Sequence, residues 1–257
     1  MRSLEAEAAG PVIETSAMIE GYNEEWADAR ALELEEKTPD EIMAWAVGEF
    51  GDKLGLATSF QVEASMLIHL FANATRESHI FYLDTEALFA ETYMVRDRLL
   101  ERYDIKPVRY RPALSLEDQA KVYGDKLWET NPDLCCEMRK VQPLKLALSG
   151  LNAWMTGIRR DQAATRAHAR VVEWDKRGLI KVNPLVRLTS NDVWSYVIGN
   201  DIPYNELHNQ NYPSIGCTFC TRPVEAGADP RSGRWAGTGK VECGLHEVEP
   251  AAPAYAI

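Results

Sequence analysis

Apolar positions along the chain switch repeatedly between the alternation of strands and the three-and-four spacing of amphipathic helices. Short apolar runs at 54–60 (LGLATSF), 79–84 (HIFYLD), 105–111 (IKPVRYR), 152–158 (NAWMTGI) and 179–183 (LIKVN) predict strands. Between the first two, QVEASMLIHLFANA sets Val62, Met66, Leu70 and Phe71 near one helical face. ALFAETYMVRDRLLERY, between the next two, is also helical in pattern. TPDEIMAWAVGEFG carries its own punctuation, with Thr38 as cap, Pro39 at the first position, Glu41 completing a capping box and Gly51 as stop. LTSNDVWSYVIGN predicts another capped helix, from Thr189 to about Ile198. Strands alternating with helices imply a parallel sheet with right-handed crossovers, so the fold class is α/β.

The two ends differ from this middle. Residues 1–37 are acidic and weakly periodic, an extension leading into a helix, and 38–225 form the α/β domain. Five of the sixteen glycines (Gly227, Gly233, Gly237, Gly239, Gly244) crowd into 227–244. Residues 226–257 are therefore expected to be a mobile C-terminal segment. With 257 residues, 46% of them hydrophobic, the chain can bury a substantial core. It has no apolar run long enough for a membrane span and no apolar signal region at its start, so a cytoplasmic, reducing location is expected. The net charge of -11 argues against a nucleic-acid partner but leaves room for a small anion on a local basic cluster.

In a reducing compartment, grouped cysteines point away from structural disulfides. Cys135 and Cys136 adjoin in DLCCEMRK, and Cys217 and Cys220 form a C-x-x-C in GCTFCTRP. A C-x-x-C alone admits metal ligation, dithiol chemistry or chance; the second pair favours ligation. Four thiolates suit zinc or a [4Fe–4S] cluster. Helical neighbours project about 100° apart, which is awkward for one small zinc ion and natural for a cuboid offering an iron to each sulfur. Spacing favours the cluster and leaves zinc open. Cys243, in KVECGLH, is left over, and reads either as a nucleophile or as an incidental surface thiol. Lys240, Arg231 and Arg234 favour its thiolate, while Glu242 opposes it.

Three loops follow predicted strands, where parallel sheets place ligands. ATSFQ offers the hydroxyls of Thr58 and Ser59 with the amides of the next helix. YLDT offers Asp84 and Thr85, and TGIRRDQAATR clusters Arg159, Arg160 and Arg166 beyond Gly157. Arg139 and Lys140 put positive charge beside the adjacent cysteines.

Taken with CCEMRKVQPL, VNPL, the segment from DVWSYVIGND to GCTFCTRPV, RSGRW and KVECGLH, these motifs resemble the adenylyl-sulfate (APS) and phosphoadenylyl-sulfate (PAPS) reductases of sulfate assimilation, over roughly residues 50–246. The resemblance implies an adenine-nucleotide α-hydrolase-like fold of the ATP pyrophosphatase type. Members with both cysteine pairs carry a [4Fe–4S] cluster and prefer APS, which implies Cys135, Cys136, Cys217 and Cys220 as cluster ligands. It further implies Cys243 as the thiolate that attacks the sulfuryl sulfur, expels AMP and becomes S-sulfocysteine. A thioredoxin or glutaredoxin then releases sulfite. Lys140, Arg231 and Arg234 are the residues expected to neutralise the anionic approach, with Arg159 also on substrate; His246 either assists the thiolate or has no role. Glu86 departs from the usual LDTG, whose glycine permits positive φ, and is expected to begin the following helix instead. The alanines of DQAATR, often serine in the family, are a milder change. A PAPS reductase, an ATP pyrophosphatase-type enzyme and a nucleotide-sensing metal module remain alternatives, and the oligomeric state, a homo-oligomer included, is open.

Overall fold

Capping chemistry fixes where two of the helices start. In α2 (Pro39–Phe50), Glu41 N–H donates to Thr38 Oγ1 at 3.3 Å and Thr38 N–H donates to the Glu41 carboxylate at 2.8 Å, the predicted reciprocal box. α9 (Ser190–Gly199) repeats the device with Thr189 and Asp192. These come from a computed structural model that describes residues 19, 21–75 and 79–246; the start of the extension and residues 247–257 lie outside it. Before α2, α1 (Glu24–Leu34) buries Ala27, Ala31 and Leu34 in the main core, so this part of the acidic extension packs on the α/β domain.

The five predicted strands form, each shorter than its apolar run: β1 (Leu54–Thr58), β2 (His79–Leu83), β3 (Val108–Tyr110), β4 (Ala153–Met155) and β6 (Leu179–Val182). A sixth, β5 (Val172–Asp175), lies outside the expected set. Its sequence VEWD carries two carboxylates in four residues, but Lys181 on β6 donates to Glu173 at 2.6 Å and steadies the antiparallel pair. The order is β3-β2-β1-β4-β6-β5, parallel except for β5. Sequence runs outward from β1 through β2 to β3, then returns to β4 on β1's other side. That reversal places a topological switch point between the carboxyl ends of β1 and β4, where such sheets bind ligands.

Alternation along the strands gives the sheet two apolar faces. Leu54, Leu56, Ile80, Met155 and Ile180 face a large core shared with α1, α2, α9, α3 (Val62–Ala74) and α4 (Ala90–Tyr103). Phe81, Trp154 and Leu179 face a smaller one, covered by Leu144, Ala147 and Leu148 of α8 (Gln142–Leu148) and by Leu245 of the C-terminal segment. Between β3 and β4 the chain also forms α5 (Leu116–Tyr123), α6 (Leu127–Thr130) and α7 (Pro132–Cys136), then a π-type turn, Glu137–Val141, that runs into α8. No helix of the described residues is long and apolar enough to cross a membrane.

Gly157, just past β4, lets the switch point close. A Cβ there would lie 2.9 Å from Glu63 Cβ in the first turn of α3. Gly157→Ala is expected to push that turn away and destabilise the protein by about 1–3 kcal/mol, measured by chemical denaturation, with anion binding at the switch point weakened as well.

Candidate active site

A cavity of about 860 Å³ opens at the switch point, between the β1, β2 and β4 exits and the C-terminal segment. Thr58, Ser59, Thr85 and Arg159 line it from the sheet side. Lys140, Arg231, Arg234 and Cys243 line it from the other. α3 starts at Val62 with no side chain capping its first amides, and Gln61, Val62 and Glu63 all border the cavity. Uncapped N–H groups at a helix start are an anion seat.

Not every predicted contact is free to meet a ligand. Asp84 is fully buried and does not line the cavity; it accepts from Arg109 Nη2 at 2.6 Å, Tyr93 OH at 2.7 Å and Glu86 N–H at 2.9 Å. Its geometry is that of a loop anchor. Arg159 reaches the cavity, but its guanidinium already pairs with Glu63 at 3.1 Å and with Asp161. Arg160 turns away to Glu35. Thr85 Oγ1 sits 3.3 Å from Cys217 Sγ, joining the second loop to the cysteine motif.

The unmatched charge lies with Lys140 and Arg234. Lys140 is 8% exposed and has no carboxylate partner among the described residues. Burial opposes its charge, yet the thiols of Cys217, Cys243 and Cys136 hold its pKa above the ordinary value. Arg234 donates to Ser214 Oγ and the Ile215 carbonyl, and its Nε has no partner among the described residues. Between them stands Trp235, 3% exposed, with Arg234 4.5 Å and Lys140 6.0 Å from its ring centroid. Sequence patterning does not reveal its part in holding the cations; the one signal is an aromatic next to RSGR. Lys240, expected to favour the Cys243 thiolate, instead pairs with Asp133.

Cys135, Cys136, Cys217 and Cys220 all line a second cavity, of about 20 Å³, which shares Lys140 and Cys217 with the first. Burial and then the neighbouring thiols push Cys135 and Cys220 up to about 11. Such thiols stay protonated at neutral pH unless a cation displaces the proton. Among the described residues no three His, Cys, Asp or Glu side chains converge as ligands of a single metal ion. Four soft sulfur donors spread around one cavity, without a carboxylate or histidine in its lining, fit a polynuclear centre better than a lone ion.

Arg139, 3% exposed, ties this cavity to the loops. It donates to the Thr85 carbonyl at 2.8 Å, Gln119 Oε1 at 3.0 Å, the Leu114 carbonyl at 3.3 Å and Glu86 at 3.0 Å. The expectation that Glu86 begins a helix is not met: it adopts φ +57°, and the helix starts at Ala90. Glu86 thus keeps the left-handed conformation that suits glycine and adds a carboxylate for Arg139.

The segment expected to be mobile is docked, in its described part, through residue 246. Thr221 bridges to Arg234, Arg177 donates to the Gly244 and Leu245 carbonyls, and His246 stacks on Trp154 at 5.8 Å and 5°. His246 is therefore partly buried rather than an exposed tail residue; burial, with Lys181, Arg166 and Arg177 nearby, keeps its pKa well below the ordinary value. Glu242, expected to oppose a thiolate, is taken up by Arg166 and Arg231 at 2.9 and 3.0 Å.

An open parallel sheet with a cation-lined cleft at its switch point marks an α/β domain built to hold a small phosphate- or sulfate-bearing molecule. The chain belongs to the phosphoadenosine phosphosulfate reductase domain family, which residues 53–223 match. It is 50% identical over 208 residues to the adenosine 5'-phosphosulfate reductase of Shouchella clausii, covering 80% of this chain and 86% of that one. It is 43% identical to the phosphoadenosine 5'-phosphosulfate reductase of Gloeobacter violaceus over 88% of this chain and 95% of that one. The fold resembles the phosphoadenylyl-sulfate reductase of Candida auris, solved as a phosphate complex, with TM-score 0.69, 33% identity and coverage of 77% and 96%. These likenesses bear out the expected fold and family.

Arg139→Ala leaves the Glu86 carboxylate with only Arg111, at 3.8 Å, and strands the buried Gln119 amide. It is expected to destabilise the protein by roughly 3–5 kcal/mol, read from denaturant midpoints, against about 1 kcal/mol for Glu86→Gln, which keeps a hydrogen bond.

Proposed function

We propose that this chain reduces adenylyl sulfate to sulfite and AMP in sulfate assimilation, in the cytoplasm, with Cys243 as the nucleophile. The observation that carries this reading is the company Cys243 keeps. Its thiol lines the same cavity as an unmatched buried ammonium and two guanidiniums, across from an uncapped helix start. The family membership and the similarly sized relatives named for this reaction support the substrate.

Binding comes first. The phosphate of APS takes the Thr58–Ser59 loop and the α3 amides, and the sulfuryl oxygens take Lys140 and Arg234. Cys243 Sγ, as thiolate, attacks the sulfuryl sulfur; the S–O bond to the phosphate breaks, and AMP leaves with that electron pair. The product is S-sulfocysteine. Lys140, Arg231 and Arg234 lower the repulsion between a thiolate and a phosphosulfate, each contributing on the order of 3 kcal/mol at the transition state. A thioredoxin- or glutaredoxin-type dithiol then attacks Cys243 Sγ, sulfite departs, and the second thiol resolves the mixed disulfide. The dithiol supplies both electrons. Exposing the adduct to a protein reductase requires the residues around Cys243 to swing outward, which Gly237, Gly239 and Gly244 permit.

Cys135, Cys136, Cys217 and Cys220 would hold a [4Fe–4S] cluster, as their shared lining of one cavity supports. When bound, it supplies a tie between α7 and the C-x-x-C segment and a local field beside Lys140. The neighbours named for PAPS favour one alternative, a substrate bearing a 3′-phosphate.

Anaerobically purified protein is expected to contain iron and acid-labile sulfide in equal amounts and to form a sulfo adduct on the Cys243 peptide when APS is added. Cys243→Ser is expected to lower sulfite release by about 10³-fold or more, and Lys140→Ala by about 10²–10³. Sulfite release unaffected by Cys243→Ser removes the proposed nucleophile; faster turnover of PAPS than of APS transfers the assignment to the alternative.

A further inference from the structure

Glu242 precedes Cys243 and has no part in the chemistry above, yet its side chain accepts more hydrogen bonds than any other among the described residues of the C-terminal segment. Arg166 donates to both of its oxygens, from Nε and Nη2, each at 2.9 Å. Arg231 Nη2 donates to it at 3.0 Å and to the Val241 carbonyl at 2.9 Å, and Thr165 Oγ1 donates at 3.2 Å. Only 13% of the Glu242 side chain is exposed. Both arginines line the large cavity, so a carboxylate of the chain itself sits where cations face the ligand space. The other anchors are of a different kind: Leu245 packs apolar, His246 stacks, Arg177 binds backbone carbonyls, and Lys240 pairs with Asp133 away from the cavity. None of them engages a cation of the cavity.

We infer that Glu242 is a positioning residue that latches Cys243 over the cavity by occupying an anion seat between Arg166 and Arg231, a seat that a sulfate-type anion contests. The inference rests on the proposed role of Cys243. Burial works against the Glu242 charge, but Arg166 and Arg231 keep its carboxyl below the usual range, so the latch is anionic wherever the enzyme works. A fork of two guanidinium hydrogen bonds fits a carboxylate and a sulfonate alike. Turnover generates such a contender next door. Transfer of the sulfuryl group converts the Cys243 thiolate to a thiosulfonate, one residue from Glu242 and beside Arg231. The adduct then competes with the latch for the same cations, and formation of the intermediate itself weakens the docking that must be undone before a reductase reaches it. Only differential affinity for docked and released states shifts that balance, and the two arginines provide it.

The test reads Cys243 accessibility without turnover. Anaerobically prepared holoenzyme is alkylated with iodoacetamide, which is uncharged, at alkaline pH, and the Cys243 peptide is quantified by mass spectrometry. Glu242→Gln is expected to raise the rate about tenfold. Millimolar inorganic sulfate is expected to accelerate alkylation of the wild type severalfold and of Glu242→Gln not at all. Arg166→Gln should match Glu242→Gln, and the double variant should be no faster than either, because the two residues form one device. A wild-type rate in Glu242→Gln overturns the latch; so does equal acceleration by sulfate in both proteins, or additivity in the double variant. A variant that is merely misfolded would alkylate at the rate of the denaturant-unfolded chain, whereas an unlatched one stays below that rate and keeps the wild-type denaturation midpoint within about 1 kcal/mol. Because no sulfite is formed, these outcomes are separate from whether Cys243→Ser abolishes the reaction.

Discussion

Lys140 is a buried ammonium group without a carboxylate among the described residues, and much of the structure follows from that imbalance. An unpaired charge at 8% exposure is unfavourable unless an opposite charge comes to it. Here the thiols of Cys136, Cys217 and Cys243 surround the side chain with polarisable sulfur, and the opposite charge is left to an anion in the cavity that Lys140 lines. The π-type turn at Glu137–Val141 sends Arg139 and Lys140 to different tasks from consecutive positions. Arg139 is committed to the Thr85 carbonyl, Gln119 and Glu86, whereas Lys140 enters the space shared by both cavities. One cation holds the frame, and the other lines both cavities without a carboxylate partner among the described residues.

The C-terminal segment answers a second constraint, the two faces of a parallel sheet. Both faces of such a sheet need cover. On one side α1, α2, α3, α4 and α9 supply it; on the other α8 covers Phe81 and Trp154 only in part, and Leu245 with His246 completes the layer. The segment therefore docks through apolar contact and stacking as well as through charge. A segment rich in glycine and held by a few such contacts has a shallow free-energy well. Under the proposed mechanism, that is a useful property for a segment that brings a thiol to a substrate and carries it away.

Most of the frame is legible from local chemistry. Capping boxes at Thr38 and Thr189, apolar strand runs and the paired cysteines are short-range signals, and each reads without knowledge of the fold. What escapes such a reading depends on distant partners. The acidic residues of β5 suit a loop as well as a strand, and the strand forms because Lys181 lies across from Glu173. Asp84 reads as a ligand contact because it ends a strand, but Arg109 on β3 and Tyr93 on α4 claim it. The docking of the described part of the C-terminal segment is hidden for the same reason. Its anchors are remote in sequence, Arg177 lying 67 positions before Gly244 and Arg166 76 positions before Glu242.

Glu86 shows how a motif separates into its physical requirements. A glycine at this position serves conformation, since φ +57° disfavours a side chain by about 1–2 kcal/mol. It does not follow that the space beyond must stay empty. Arg139 is 3% exposed and otherwise bound only to neutral acceptors, and Glu86 gives that buried guanidinium a carboxylate at 3.0 Å, with Arg111 at 3.8 Å on its outer side. A charge-assisted hydrogen bond to a buried arginine is worth about 1.5–3 kcal/mol, enough to offset the backbone strain. The loop keeps its path, Thr85 stays beside Cys217, and the departure from the usual glycine is absorbed because the new side chain supports the same turn from the outside.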